Sequence, residues 1–205
     1  MILWFLFCSL VCYKMYDFFP FKPPKRPMYV IKNIYKSLGL CVLFVVALPI
    51  IIIPAFVNDE WNTKYIHVFG SMYVCHDLVG LFRVPNLQLN TRLHHVATVV
   101  LLLVSYQIDF QTSSLGQAMF VYTVCSAASF IVNLYLAMRY LGIFLSLRVW
   151  SFYIYLFSCT INWIWHVRWA FSTTFTRWHY FYVVLLGFII FDDIVLLLWL
   201  SKKNI

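Results

Sequence analysis

Long apolar runs alternate with short polar clusters along most of this chain. A helix needs about 20 mostly apolar residues to cross the hydrocarbon core of a bilayer, and several segments approach that length. Polar and turn-forming residues separate them, as at positions 58–60, 83–92 and 109–114. The pattern predicts an all-α, multi-pass membrane protein with six spans, at residues 37–57, 63–82, 93–108, 115–138, 149–169 and 180–200.

The first 30 residues differ from the rest of the chain. Residues 1–13 are apolar but short, and they lack the basic start and the small-residue cleavage site of a signal peptide. They predict a seventh, short or tilted membrane helix, and the alternative is a segment that lies at the interface. A stiff, basic, proline-rich linker follows at residues 19–27. We therefore divide the chain into an N-terminal helix and linker, residues 1–30, and a membrane domain, residues 31–203.

The composition indicates that lipid is the main solvent of this protein. Its 205 residues are 63% hydrophobic and 11% charged, whereas an ordinary soluble domain is roughly 45–50% apolar and about 25% charged. These values exclude an ordinary soluble domain and a disordered chain. The net charge is +8, but the basic residues are too scattered among apolar runs to form a face that binds nucleic acid.

The basic residues predict the orientation of the spans. If the chain alternates through six spans, one side collects 12 of the 15 Lys and Arg residues, and the other collects only Lys64, Arg168 and Arg177. Lys and Arg accumulate on the cytosolic side of membrane proteins, so the C-terminus is predicted to be cytosolic. Residues 202–205, Lys-Lys-Asn-Ile, then have two interpretations. They are a dilysine signal for retrieval to the endoplasmic reticulum, or two lysines that end a helix on its cytosolic side.

The six cysteines of the chain do not form a recognisable framework. None belongs to a CxxC pair, and most lie inside apolar runs, where a thiol behaves as a small hydrophobic group. The sequence therefore predicts neither a disulfide framework nor a metal site.

Ionisable side chains at membrane depth are the main functional candidates, because they are costly to keep there. The adjacent His94 and His95 begin the third predicted span. At about 1.5 Å per residue, Asp77 lies roughly 8–9 Å from the cytosolic end of its span, and Asp192 and Asp193 roughly 13–15 Å. A carboxylate near a histidine would fix its tautomer and raise its basicity. The alternative is that these groups only hydrogen-bond between helices.

The stretch from His94 to Tyr106, His-His-Val-Ala-Thr-Val-Val-Leu-Leu-Leu-Val-Ser-Tyr, resembles the TLC-domain family. That family includes ceramide synthases, translocating-chain-associated membrane proteins and lipid-regulating relatives. The preceding Tyr-Val-Cys-His-Asp, which ends at Asp77, is similar to an aromatic-rich segment of the family, and the likeness covers nearly all of residues 31–203. The resemblance implies a six-helix TLC barrel around a lipid-accepting cavity, with a further short N-terminal helix as in some members.

The resemblance also implies a chemistry. In ceramide synthases, paired histidines line the cavity and take part in acyl transfer from acyl-CoA to a sphingoid amine. The implied co-substrate is acyl-CoA, the implied acceptor is a sphingoid base, and no other cofactor or metal is implied. The implied catalytic residues are His94 and His95 as base or acyl acceptor, oriented by Asp77 and by Asp192 or Asp193.

One departure from the ceramide synthases favours a second hypothesis. Those enzymes carry several acidic residues on the helix after the Ser-Tyr pair, but residues 119–133 of this chain contain no carboxylate. The second hypothesis is a non-enzymatic protein of the endoplasmic reticulum that binds lipid, sets membrane composition or serves protein trafficking. Di-iron enzymes need several histidine boxes, which six histidines with one adjacent pair do not supply.

Overall fold

The computed structural model describes residues 1–202, and within them every regular element is helical, which confirms the all-α prediction. Lys203 to Ile205, most of the dilysine segment, lie outside the described residues. The helices are α1 (Ile2–Met15), α2 (Pro27–Ala47), α3 (Ile53–Val57), α4 (Thr63–Arg83), α5 (Leu89–Ser105), α6 (Ser114–Ala128), α7 (Phe130–Leu141), α8 (Leu147–Ser172) and α9 (Arg177–Ser201). A π-helical segment, Leu48–Ile52, joins α2 to α3.

Two helical stretches are long and apolar enough to cross a membrane, Pro27–Val57 and Arg177–Ser201. The pair α6 and α7 passes the same test together, with a bend of 41° between the two helices. Helix α5 is apolar but has only 17 residues. Two to three such stretches are consistent with an integral membrane protein, which is a coarser result than the six predicted spans.

Local sequence signals explain several helix ends. Pro27 occupies the first turn of α2, where a proline loses no helical hydrogen bond. The preceding residue, Arg26, has a left-handed backbone with φ of 45°. Asn62 caps α4 by accepting a hydrogen bond from the backbone N–H of Tyr65 at 3.1 Å. Gly142 ends α7 with φ of 70°, the left-handed conformation that glycine adopts without a steric cost.

The first apolar helix begins ten residues earlier than the predicted span, at Pro27 instead of residue 37. The sequence pattern places Lys32 and Lys36 outside the membrane, as cytosolic charges before the span. In the structure both lysines lie on α2, and their exposed fractions are only 4% and 6%. The difference arises because a hydropathy pattern interprets a charge as a boundary, whereas a charge can be buried when another helix provides a partner.

Two irregularities interrupt the predicted spans. Pro49 and Pro54 lie at the start of the π-helical segment and of α3, where each proline lacks an N–H and clashes with the preceding turn. Ser129 separates α6 from α7, and its hydroxyl donates to the carbonyl of Cys125 at 3.3 Å. Such back-bonding by serine often bends a helix. The predicted span 115–138 is therefore a bent pair of helices.

Six of the helices pack side by side in a closed ring. Helix α2 packs against α7, α7 against α8, α8 against α9, α9 against α5, α5 against α4, and α4 against α2. Helix α6 packs against α8 and α2, and α1 packs against α4. The N-terminal ends of α5 and α2 and the C-terminal ends of α4 and α9 therefore approach one another, and this is where the ionisable residues gather.

Candidate functional site

A polar cavity of about 500 Å³ lies among α2, α5, α7 and α9. Both candidate histidines and Asp192 line it, together with four basic side chains and several aromatic ones. The cavity is thus rich in basic groups, and it combines them with flat apolar rings. Its basic residues are Arg26, Lys32, Lys36 and Arg139, and its aromatic residues include Tyr29, Tyr140, Tyr155 and Trp199.

A second cavity, of about 100 Å³, is lined almost entirely by apolar side chains of α2, α4, α5 and α6. Thr98 lines this cavity and also donates a hydrogen bond to Oδ2 of Asp77 at 3.3 Å. The Asp77 carboxylate also contacts His95, which lines the polar cavity. A buried polar cluster, formed by Asp77 with Lys36, His95 and Thr98, therefore lies between the polar cavity and the apolar one.

Asp77 on α4 is the centre of that cluster, and its side chain has no exposed surface. Lys36 of α2 forms an ion pair with its Oδ1. Nδ1 of His95 lies 3.0 Å from the same oxygen. A buried carboxylate is costly without partners. Helix α2 supplies the ammonium, and α5 supplies the imidazole and the Thr98 hydroxyl, which together offset this cost.

His95 has a polar neighbour at each ring nitrogen. Nδ1 faces Asp77, as a close contact without the alignment of a hydrogen bond, and Nε2 lies 3.4 Å from Nζ of Lys32. Gly80 allows this close packing, because a Cβ atom there would lie 3.3 Å from Cε of Lys32 and 3.8 Å from Nε2 of His95. The imidazole of His95 therefore has a fixed orientation.

His94 has a different environment, because its ring is nearly perpendicular to that of His95, at an interplanar angle of 89° and a centroid distance of 5.6 Å. Its Nδ1 lies 3.3 Å from Oδ2 of Asp192 on α9. Asn90 donates to Oδ1 of that carboxylate at 2.5 Å, so the aspartate is oriented by α5 itself. The His94 ring lines the polar cavity.

Asp193, the remaining predicted site residue, belongs to another environment. Its Oδ1 accepts a hydrogen bond from the hydroxyl of Tyr155 at 2.6 Å, and its Oδ2 accepts one from Tyr122 at 3.3 Å. Adjacent residues of a helix point about 100° apart, so Asp192 and Asp193 cannot both face one pair of histidines. The structure thus brings His94, His95, Asp77 and Asp192 together and directs Asp193 elsewhere.

This cluster is poorly suited to bind a metal ion. Asp77, His94 and His95 each present a ligand atom, and these atoms lie within 4.8 Å of one another. The ammonium groups of Lys36 and Lys32, however, contact Asp77 and His95 directly, and they would repel a cation. The same charges favour an anionic ligand in the adjoining cavity.

The sequence pattern missed the lysines of this site. Lys32 and Lys36 were assigned to the cytosolic flank of a span, although their spacing of four residues places them on one face of a helix. A proline at the start of an apolar helix, followed by two basic residues one turn apart, was the available signal. Tyr155 and Tyr122 had no such signal, since only the fold brings them to Asp193.

Comparisons of the chain with protein-family models, with curated proteins and with solved structures find no match in any of the three. Function is therefore inferred from the chemistry of the site.

Proposed function

We propose that this chain is a multi-pass TLC-domain protein of the endoplasmic reticulum that transfers an acyl group from acyl-CoA to an amine of the sphingoid-base class. The observation that carries the proposal is a pair of histidines, each beside a carboxylate, at the edge of a cationic cavity of about 500 Å³. The closed packing order of α2, α7, α8, α9, α5 and α4 supports a six-helix barrel with α1 outside it.

The polar cavity has the chemistry that the coenzyme A portion of a thioester requires. Arg26 and Arg139 line this cavity, and guanidinium groups are well suited to bind phosphate oxygens. The aromatic rings beside them provide surfaces on which an adenine base can stack. Arg139 itself lies 4.3 Å above the ring of Trp199, so the charge and one aromatic surface are held together.

The apolar cavity has a lining suited to a hydrocarbon chain, and its volume of about 100 Å³ holds a short stretch of one. Its lining is almost entirely apolar, as in most sites for apolar ligands. It meets the buried polar cluster at Thr98. A lipid with its chain in this cavity and its reactive group toward the polar cavity would place the thioester carbonyl near the histidines.

His94 is the better candidate for proton transfer, and His95 for positioning. Nδ1 of His94 lies 3.3 Å from Oδ2 of Asp192, and a proton on that nitrogen would leave Nε2 free to accept the proton of the attacking amine. The amine nitrogen forms the amide bond to the acyl carbon, the thioester C–S bond breaks, and the coenzyme A thiolate takes the proton from His94. The Lys32 and Lys36 ammonium groups would stabilise the negative charge on the carbonyl oxygen.

A non-enzymatic lipid-binding protein is the second candidate function. Lys36 already forms an ion pair with Asp77, and Nζ of Lys32 contacts Nε2 of His95. These polar groups therefore have partners without a substrate. Residues 119–133 contribute no further carboxylate. On this hypothesis, the two cavities hold an intact lipid with an anionic headgroup.

The test is expression of the chain in cells that lack their own ceramide synthases, with labelled sphingoid base supplied. We expect labelled ceramide from the wild type and a decrease of at least about 100-fold in His94→Ala, the order of a lost general base. His179→Ala is the matched control, because His179 is also buried but contacts Ser114 and Thr176, which line neither cavity. It should retain activity when its amount in the membrane equals that of the wild type.

No product from a wild-type protein that is present in the membrane would contradict acyl transfer. Photoactivatable lipids then test the second candidate: crosslinking to residues of α2 and α5 around the apolar cavity would support lipid binding. An absence of both product and crosslinking would contradict both functions.

A further inference from the structure

A second buried cluster of reactive side chains lies where α1 packs against α4. Cys12 of α1 and the neighbouring Cys75 and His76 of α4 are all buried. Sγ of Cys12 lies 3.2 Å from Nδ1 of His76, although the two residues are 64 positions apart in the sequence. This cluster plays no part in the function proposed above.

The three side chains are arranged as ligands of one metal ion. Their two sulfur atoms and one imidazole nitrogen all lie within 4.8 Å of one another. Zinc binds thiolate at about 2.3 Å and imidazole at about 2.0–2.1 Å, usually with tetrahedral geometry. Those bond lengths correspond to ligand–ligand separations of about 3.5–3.8 Å. Shifts of about 1 Å in the positions of the sulfur and nitrogen atoms would reach these separations.

The charge of such a site is compatible with its burial. Two thiolates balance the two positive charges of zinc, and the imidazole binds as a neutral ligand, so the complex carries no net charge. Binding releases the two thiol protons. A neutral complex avoids the large cost of a buried, unpaired ion, which would otherwise exclude a divalent cation from this helix interface.

The buried hydroxyl of Tyr16 is an independent observation that points to a ligand in this cluster. It directly follows α1, its exposed fraction is 2%, and its hydroxyl has no hydrogen-bond partner. Its side chain packs in the same buried cluster as Cys12 and Cys75. A buried hydroxyl without a partner is costly. As the fourth ligand, or through a water bound to the metal, it would gain the missing interaction.

Gly39 of α2 leaves room for His76. A Cβ atom at this position would lie only 2.8 Å from Nε2 of the histidine, so a larger residue would push the ring away from Cys12. The packing of three elements therefore keeps the imidazole directed at the two sulfur atoms.

We propose that Cys12, Cys75 and His76 form a structural zinc site, completed by the Tyr16 hydroxyl, which fastens α1 to α4. Soft thiolate ligands with one imidazole select zinc over the hard cations calcium and magnesium. Because His76 directly precedes Asp77, the metal also fixes the segment of α4 that carries the central carboxylate of the other cluster.

Cobalt(II) is the probe for this site, because it replaces zinc and its spectrum reports thiolate ligation. The full chain, purified in detergent with its thiols reduced, should bind one cobalt ion with thiolate charge-transfer and tetrahedral visible bands that zinc abolishes. Cys12→Ser and Cys75→Ser should each lower the charge-transfer band, and the double variant should remove it. His76→Gln should weaken binding at least about tenfold, the order by which even outer-sphere groups act at metal sites.

Cys159→Ser is the matched control, because Cys159 has the same exposed fraction as Cys12, 4%, but lies on α8. Its cobalt spectrum should equal that of the wild type. The absence of cobalt bands in the folded wild type, or an equal loss in Cys159→Ser, would overturn the proposal. A Cys12–Cys75 disulfide in protein taken from native membranes would also overturn it. If a serine variant does not fold, the folded His76→Gln protein decides the question.

Discussion

At the scale of single residues, the most informative side chain is Asp77. It has no exposed surface and contacts the ammonium of Lys36, the imidazole of His95 and the hydroxyl of Thr98. A buried ion pair is weak evidence for stability, because the removal of two charges from water offsets much of their attraction. The loss of one partner alone, however, leaves a buried charge without compensation.

We expect Lys36→Met to destabilise the protein by about 3 kcal/mol, near the lower end of the values for a broken buried pair. The measurement is the free energy of unfolding in detergent. Lys64→Met is the matched control, since Lys64 is exposed at the start of α4, and it should change stability by less than about 0.5 kcal/mol. The double variant Lys36→Met with Asp77→Asn should recover part of the loss. Equal stability of the two single variants would show that the pair contributes nothing.

At the scale of elements, the docking of α1 on α4 also depends on an ion pair at its exposed end. Asp17, in the short 3₁₀ turn Tyr16–Phe18, accepts a hydrogen bond from the guanidinium of Arg83 at 2.5 Å. Arg83 also lies 4.3 Å above the ring of Tyr13. The hydrogen bond from Arg83 lowers the pKa of Asp17 below its ordinary value of 3.8.

The lowered pKa of Asp17 predicts a pH dependence with a definite sign. A carboxyl whose pKa is lower in the folded state adds stability above its unfolded pKa, near 3.8, and this stability is lost as the pH falls through the folded pKa. The unfolding temperature of the wild type should therefore exceed that of Asp17→Asn at pH 6 by a small amount, and the difference should shrink as the pH falls below 3.8.

Circular dichroism in detergent measures this difference. In an Arg83→Gln background, Asp17→Asn should have almost no effect at any pH, because the partner is already absent. A pH-independent difference between wild type and Asp17→Asn would show that the charge of Asp17 plays no part.

At the scale of the whole molecule, the orientation of the helices in the membrane is the main open prediction. The distribution of basic residues predicts six spans with a cytosolic C-terminus, and two to three helical stretches meet the criteria of length and apolar composition. Helix α8 has 26 residues, from Leu147 to Ser172. It contains a predicted span, but it is not among the stretches that meet those criteria.

Epitopes in sealed microsomes test the orientation. An epitope after Ile205 and one inserted at 142–146, between α7 and α8, should both be digested by added protease. One inserted at 173–176, between α8 and α9, should be protected, because six spans place it in the lumen. Digestion at 173–176 in intact microsomes would show that α8 does not span. Protection after Ile205 would reverse the orientation.

The sequence anticipated the elements better than it anticipated the site. Apolar runs and the polar clusters between them are local features, so the helices lie close to the predicted segments. The exceptions are the early start of α2, the π-helical segment after it and the break at Ser129. The adjacent histidines and Asp77 were recognised because ionisable groups are rare at membrane depth. The lysines were not, since their burial depends on Asp77, which lies on another helix.

The sequence by itself determined an apolar, all-helical chain and the identity of its costly ionisable residues, because those properties follow from composition and local spacing. Only the tertiary structure decided which of them meet. It separated Asp192 from Asp193, paired Lys36 with Asp77, and brought Cys12 to His76 across 64 positions. The physical reason is that a buried polar group needs a partner within a few ångströms, and helix packing, not sequence spacing, sets that distance.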